Sequence, residues 1–201
     1  GAVPVSPPIP GIRAGGVYTL RTFADAEGIL TSRKEMENVC VMGGGFIGIK
    51  LACHLRDRGL QVSVIEKEPR LASRIFDQRA SDIVRKQLRR HGLCVETGAG
   101  ISEILNRNGW VSGVRLEDGR IFPAQILVAA VGVRPNTAFV DPSLAATREG
   151  IPVDERMETG VPHVYAAGDA ATTLDSLTSL PCNNAIWPAA TRQGRVAGAN
   201  M

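Results

Sequence analysis

Asn38-Val39-Cys40-Val41-Met42-Gly43-Gly44-Gly45-Phe46-Ile47-Gly48 is the stretch on which the fold turns. Its first five residues have the apolar, β-branched character of a buried strand, and the apolar-periodic run from Phe46 to Leu55 has that of a helix. Between them stands Gly43-x-Gly45-x-x-Gly48, giving the strand, turn, helix order that binding a dinucleotide pyrophosphate requires. Gly43 permits the tight turn, Gly45 lets the backbone approach the phosphates and Gly48 lets the helix pack close to the strand. The helix then starts at Phe46 and Ile47 with free amides aimed at the anion. A second apolar run, Leu60 to Ile65, ends in Glu66, eighteen residues after Gly48. An acidic side chain at that distance accepts the hydroxyls of an adenine nucleotide's ribose.

Working outward, Lys67 to Arg70 is a loop, Phe76 to Arg90 is a helix with Ile83, Val84 and Leu88 at helical spacing, and Leu93 to Glu96 is a third short strand. This βαβαβ order is half of a doubly wound parallel sheet. Ile101 to Leu105, Val111 to Leu116 and Arg120 to Phe122 are three strands joined by Asn108-Gly109 and Asp118-Gly119, which predicts an antiparallel meander. Ala124 to Val131 is almost wholly apolar, as a strand buried on both faces should be. The fold class is therefore α/β, a Rossmann-like parallel sheet plus a three-stranded meander. Gly132 to Asn136 breaks the pattern and sets a boundary near residue 134. Beyond it Ile151 to Val153 and Val161 to Ala167 are expected strands, the second stopping at Gly168-Asp169 and so presenting a carboxylate at its carboxyl end. In the N-terminal segment, proline-rich Gly1 to Gly11 is expected to be extended, and Thr22 to Thr31 is the first helix.

Composition narrows the function classes. Lys and Arg total 23 against 20 Asp and Glu, a net charge of +3, and aromatic residues make up only 4%, so neither a basic stripe nor a set of stacking platforms marks a nucleic-acid partner. No apolar run approaches the roughly 20 residues of a membrane span, and the N-terminus lacks signal-peptide character, which points to a cytoplasmic protein. Cys40, Cys53, Cys94 and Cys182 fit neither a redox pair nor a zinc spacing and are expected to be buried free thiols. The three histidines, His54, His91 and His163, form no metal-ligand pattern. No metal site and no catalytic side chain is assigned.

Three segments, in order, carry a resemblance: Gly43 to Gly48 with Glu66, then Ala130-Val131-Gly132-Val133-Arg134-Pro135-Asn136, then Val164-Tyr165-Ala166-Ala167-Gly168-Asp169-Ala170. Together they resemble the central part of the FAD and NAD(P)H dependent pyridine nucleotide-disulfide oxidoreductase superfamily. Ile186 to Arg195 is most similar to the branch containing NADH oxidases, rubredoxin reductases and nitrite reductase flavoproteins. The resemblance implies an NAD(P)H-binding domain over 37–134 inserted between FAD-domain segments at 1–36 and 135–201. It implies that Gly132 lies on the return crossing and that Gly168 and Asp169 face the flavin, the aspartate toward its ribityl chain. It also implies that the chain is a piece of a longer flavoprotein, a homodimer when complete, that passes electrons from NADH through FAD to a small-molecule or redox-protein acceptor.

Within this picture Gly43, Gly45, Phe46, Ile47, Gly48 and Glu66 hold the nucleotide. Glu66 repels a 2'-phosphate, which favours NADH over NADPH, while Lys67, Arg70 and Arg74 are the cations close enough to offset that repulsion. Lys50 stands where the family commonly carries glutamate near the nicotinamide; the other reading is a lysine whose stem lies along the helix with its charge in water. Pro188 suits the first turn of a helix whose N-terminus, if aimed at the flavin, favours its anionic reduced form; the other reading is an ordinary amphipathic helix packed by Trp187 and Val196. The alternative to a flavoprotein is a flavin-free NAD(H)-binding module acting as a nucleotide sensor. A flavin-free dehydrogenase lacks any Ser-Tyr-Lys or His-Asp arrangement at useful spacing.

Overall fold

The structure, a computed structural model, describes residues 1–32, 37–144 and 146–201. The last four positions of the expected 1–36 segment lie outside them. The chain forms two compact units, one of residues 4–132 and one of residues 1–3 with 133–201.

The chain begins with β1 (Ala2–Pro4), whose partner strand comes only after the larger unit is complete. The larger unit then opens with β2 (Val17–Thr19) and α1 (Phe23–Ser32). Thr22 and Asp25 cap that helix reciprocally: the Asp25 amide donates to Thr22 Oγ1 (3.2 Å) and the Thr22 amide to Asp25 Oδ2 (2.8 Å). Asp25 thus lies in the first turn of the helix. Its two backbone donors, Thr22 and Arg21, hold its carboxyl below the usual range.

Next come β3 (Asn38–Met42), α2 (Phe46–Asp57), β4 (Gln61–Glu66), α3 (Gln78–Arg90) and β5 (Cys94–Thr97). The meander follows as β6 (Ile101–Arg107), β7 (Trp110–Leu116) and β8 (Ile121–Pro123), and β9 (Ile126–Ala129) returns to the parallel sheet. The sheet order is β2-β9-β3-β4-β5, and every neighbouring pair is parallel. The α/β reading holds, and the meander is antiparallel in the order β6-β7-β8.

Alternation along the buried strands explains the layers. Val39, Val41, Val62, Val64, Ile126 and Val128 point into one core, which Ala52 and Leu55 of α2 and Leu88 of α3 complete. Cys40, Met42, Ile65, Leu127 and Ala129 point the other way, against Ile104, Val111, Val114 and Leu116 of the meander. A period-two side chain pattern in a sheet covered on both faces favours apolar residues in both alternating sets, as in β9 and most of β3, while β4 keeps Gln61 and Ser63 on the set it shares with Ile65. Each such Val, Ile or Leu contributes about 1.5–3 kcal/mol by leaving water.

β2 was not legible as a strand, because three residues are too few to show periodicity; it is nevertheless the edge that pairs with β9. The thiols also differ from expectation: Cys40 is buried, Cys94 is exposed, and Cys53 and Cys182 are half-buried, all four being free. Burial, helped by nearby Cys94, pushes the Cys40 thiol up to about 12. A row of strand partners, Cys40 to Ser63 and Ser63 to Cys94, leaves one strand between those two sulfurs.

In the smaller unit β10 (Val133–Pro135) pairs with β1, and β11 (Ile151–Pro152), β12 (Ala171–Leu174) and β13 (Pro181–Cys182) make a three-stranded sheet; α4 (Trp187–Asn200) ends the chain. Val161 to Ala167 is not a strand. Pro162 and His163, the latter at φ 63, form a turn closed by the Val164 amide on the Val161 carbonyl (3.2 Å), leaving only a Glu158–Tyr165 bridge. Asp169 accordingly sits in a 3-10 turn, Gly168–Ala170, that leads into β12, rather than at a strand's carboxyl end.

None of the described helices is long and apolar enough to cross a membrane. Gly43 supplies the sharpest test of the larger unit: its φ is +109, and a Cβ there would stand 2.5 Å from the Ala130 carbonyl oxygen. Gly43→Ala is expected to cost about 2–4 kcal/mol in urea unfolding, combining left-handed strain with that clash; a loss below about 0.5 kcal/mol contradicts the placement.

Candidate functional site

The carboxyl ends of β3 and β4 bring the glycine turn and Glu66 together. Gly43 donates its amide to the Ile65 carbonyl (2.8 Å), anchoring the turn to the neighbouring strand. Glu66 then reaches back: its Oε2 accepts from the Gly44 amide at 2.6 Å and its Oε1 from the Glu68 amide at 2.7 Å. The carboxylate is therefore oriented by main-chain donors and retains lone pairs for a further partner.

The roles read from the three motif glycines separate physically. Gly48 lies under the turn, where a Cβ would be 2.0 Å from the Gly43 carbonyl oxygen. Gly45 has nothing within 4 Å of its Cβ direction, so the face above it is open. It is also the N-cap of α2, in extended conformation (φ −77, ψ 179), with no side chain capping the helix. The first α2 amides, those of Phe46, Ile47 and Gly48, precede the first intrahelical bond, from the Ile49 amide to the Gly45 carbonyl (2.9 Å), and have no side-chain cap, and the helix dipole adds partial positive charge there. Free amides at an open, uncapped helix start are able to hold an anion.

Phe46 and Ile47 expose about half of their surfaces, 46% and 52%. The Phe46 ring meets Phe76 edge-on, centroids 5.4 Å apart. Lys67 and Arg74 are exposed in the loop after β4. Lys50 is exposed on α2, and its carbonyl carries the His54 Nδ1 contact at 2.9 Å. Gly132, at φ +112, is exposed at the end of the larger unit, where its carbonyl accepts from the Val5 amide (3.0 Å).

Gly168 and Asp169 belong to the smaller unit. Gly168, at φ +79, donates its amide to Gln193 Oε1 of α4 (2.9 Å), and Asn183 Nδ2 bridges the carbonyls of Asp169 (3.0 Å) and Ala171 (2.7 Å). Pro188 stands in the first turn of α4, which no side chain caps. The same unit holds a groove of about 690 Å³ lined in part by Glu149, Asp154, Glu158 and Leu174; none of the expected residues lines it.

Two residues that the motif reading passed over shape the site. Gly44, the variable position of Gly43-x-Gly45, donates the hydrogen bond to Glu66, and a Cβ on it would lie 2.5 Å from Leu71 Cδ2. Leu71 is completely buried, and its carbonyl accepts from Ser81 Oγ (2.7 Å). The signals available were an unbroken run of glycines at 43–45 and an apolar residue, Leu71, in the loop after β4. Among the described residues no group of three or more His, Cys, Asp or Glu is placed to hold a metal.

The family model described as pyridine nucleotide-disulphide oxidoreductase matches residues 1–194. An NADH oxidase of Methanocaldococcus jannaschii is 34% identical over 204 residues, spanning 100% of this chain and 45% of the relative. The rubredoxin-NAD(+) reductase of Pseudomonas putida is 32% identical over 161 residues, 80% of this chain and 42% of that protein. The solved NAD-dependent persulfide reductase from A. fulgidus superposes with a TM-score of 0.95 at 33% identity, covering 100% of this chain and 37% of its own. The chain spans less than half the length of each of these.

Aspartate is a good N-cap but a poor neighbour for a phosphate. Gly45→Asp is expected to raise stability by about 0.5 kcal/mol in thermal unfolding and to abolish binding of a pyrophosphate-bearing dinucleotide in calorimetry. Retained affinity places the anion elsewhere.

Proposed function

The chain belongs to the pyridine nucleotide-disulphide oxidoreductase family, and from that premise we propose that it is the nucleotide-holding portion of an NADH-dependent flavoprotein oxidoreductase. The observation that carries the reading is the meeting of Glu66 with the glycine turn, at 2.6 Å from the Gly44 amide, beside a face that is open only above Gly45. In this reading the larger unit is a Rossmann-like domain. Gly43, Gly45 and Gly48 shape the cradle, the amides from Phe46 and Ile47 onward meet the pyrophosphate, and Glu66 accepts the adenosine ribose hydroxyls. Lys67 and Arg74 flank the ribose from the solvent side.

Gly132, on the crossing, and Gly168 with Asp169 are assigned to the flavin side. The uncapped, proline-initiated N-terminus of α4 suits an electron-rich partner. The flavin segments are taken as 1–36 and 135–201 and the dinucleotide segment as 37–134, with residues 4–32 packed in the same compact unit as the parallel sheet.

Bound together, NADH and FAD supply the hydride transfer chemistry themselves. What the chain's residues do is bind and orient: main-chain amides neutralise the diphosphate, and a pre-set carboxylate fixes the ribose. No side chain of the chain is assigned a proton-transfer step. The acceptor is proposed to be a small molecule or a redox protein, the range that relatives named as oxidase and rubredoxin reductase span. Four free thiols suit a reducing, cytoplasmic setting, and the family resemblance favours a homodimer for the longer protein.

Two measurements test the proposal. Expressed at the length of its relatives, the protein should purify yellow, and NADH should bleach it anaerobically; a colourless protein that still binds NADH favours the nucleotide sensor. Glu66→Ala should weaken NADH by about 1–2 kcal/mol through loss of hydrogen bonds to a charged acceptor, with a smaller change for NADPH. Equal losses for the two nucleotides in a fluorescence titration count against Glu66 as the ribose ligand.

A further inference from the structure

Arg70 lies among the cations that follow β4, yet its surroundings differ from those of Lys67 and Arg74. Those two are exposed, whereas Arg70 is half-buried and its guanidinium is committed to main chain. Nε donates to the Phe76 carbonyl at 3.2 Å and an Nη to the Ser73 carbonyl at 3.0 Å. Both acceptors belong to a turn around Ala72, a non-glycine residue at φ 47, whose own carbonyl accepts the amides of Ile75 (2.8 Å) and Phe76 (2.9 Å). Residues 67–76 contain no helix or strand, so these bonds are what give the loop its shape.

The loop is stitched to the glycine turn at three points. The Ala72 amide donates to the Gly44 carbonyl (3.0 Å), the Leu71 side chain is buried against Gly44, and Phe76 meets Phe46 at the start of α2. We infer that Arg70 is a positioning residue: its planar fork holds residues 70–76 folded onto Gly43–Gly48, which fixes the Glu66 carboxylate and the Phe46 ring before a dinucleotide arrives. The inference rests on the reading of this turn as the NADH site.

A consequence follows for nucleotide choice. A guanidinium presents its donors in a rigid plane, so turning Arg70 toward a 2'-phosphate abandons both carbonyls and releases the loop. Arg70 is thereby withdrawn from phosphate recognition despite its place in the sequence, and discrimination against NADPH rests on the fixed Glu66. Loss of the fork should weaken NADH, which needs an ordered carboxylate, and leave NADPH nearly unchanged, because the carboxylate that repels the 2'-phosphate becomes free to move away.

Titration of the 201-residue chain with NADH and with NADPH, alongside thermal unfolding, tests this. Arg70→Ala should weaken NADH about tenfold, the scale of re-ordering one short loop on binding, and narrow the NADH to NADPH preference by a similar factor. Arg70→Lys should resemble Arg70→Ala, because an ammonium cannot span two carbonyls in one plane. Three results overturn the inference: NADPH alone weakened by Arg70→Ala, wild-type NADH affinity retained in Arg70→Lys, or equal losses for both nucleotides with a lowered unfolding temperature. A wild-type chain that binds neither nucleotide overturns the reading of the site itself, and the inference with it.

Discussion

The hydrogen bond from the Gly44 amide to Glu66 joins the ends of two adjacent parallel strands, and the geometry of the glycine turn depends on it. Parallel pairing brings β3 and β4 to the same side of the sheet with the same polarity, so the turn after one and the last residue of the other necessarily meet there. A carboxylate so placed is held by charge-assisted bonds from Gly44 and Glu68, stronger than neutral ones by about a factor of two. The two amides thereby set the direction in which the remaining lone pairs point.

That bond holds because close approach is possible around it. Gly43 takes a backbone angle that side chains resist, Gly48 lets α2 settle on the turn, and Gly44 lies against Leu71 with no room for a side chain. Only Gly45 is free of such crowding. Three of four glycines are thus required by protein packing, whereas the fourth borders open space, a division that separates stability from the proposed binding role at neighbouring residues.

Much of the larger unit was legible in the chain. Asn38 to Met42 matches β3 to the residue, since a strand buried on both faces carries an unbroken apolar run, and the two turn dipeptides placed the meander for an equally local reason. The cradle was legible because its chemistry uses backbone, which only glycine spacing can reveal. Arg70 was visible solely as a cation near the expected nucleotide site; that its donors close a loop depends on the Ala72 turn, which no local signal announces. Val161 to Ala167 failed as a strand for a comparable reason. Its apolar composition suits extension, but Pro162 and His163 fold into a turn, and the ladder role passes to Ala171–Leu174. The three-residue β2 owes its place to pairing with a segment far along the chain, information that no local window contains.

The position of β9 bears on how the molecule comes into being. It fills the gap between β2 and β3, so Val17 lies beside Leu127, a separation of 127 − 17 = 110 positions. Until synthesis passes Ala129, one flank of β3 is open, and β2 has nothing to pair with. Closing so long a loop is slow, and the exposed flank is a hazard for intermolecular pairing while it lasts. The β3-α2-β4-α3-β5 portion can assemble from near neighbours as it leaves the ribosome, whereas the sheet as a whole must wait for its last-made strand to lock between β2 and β3.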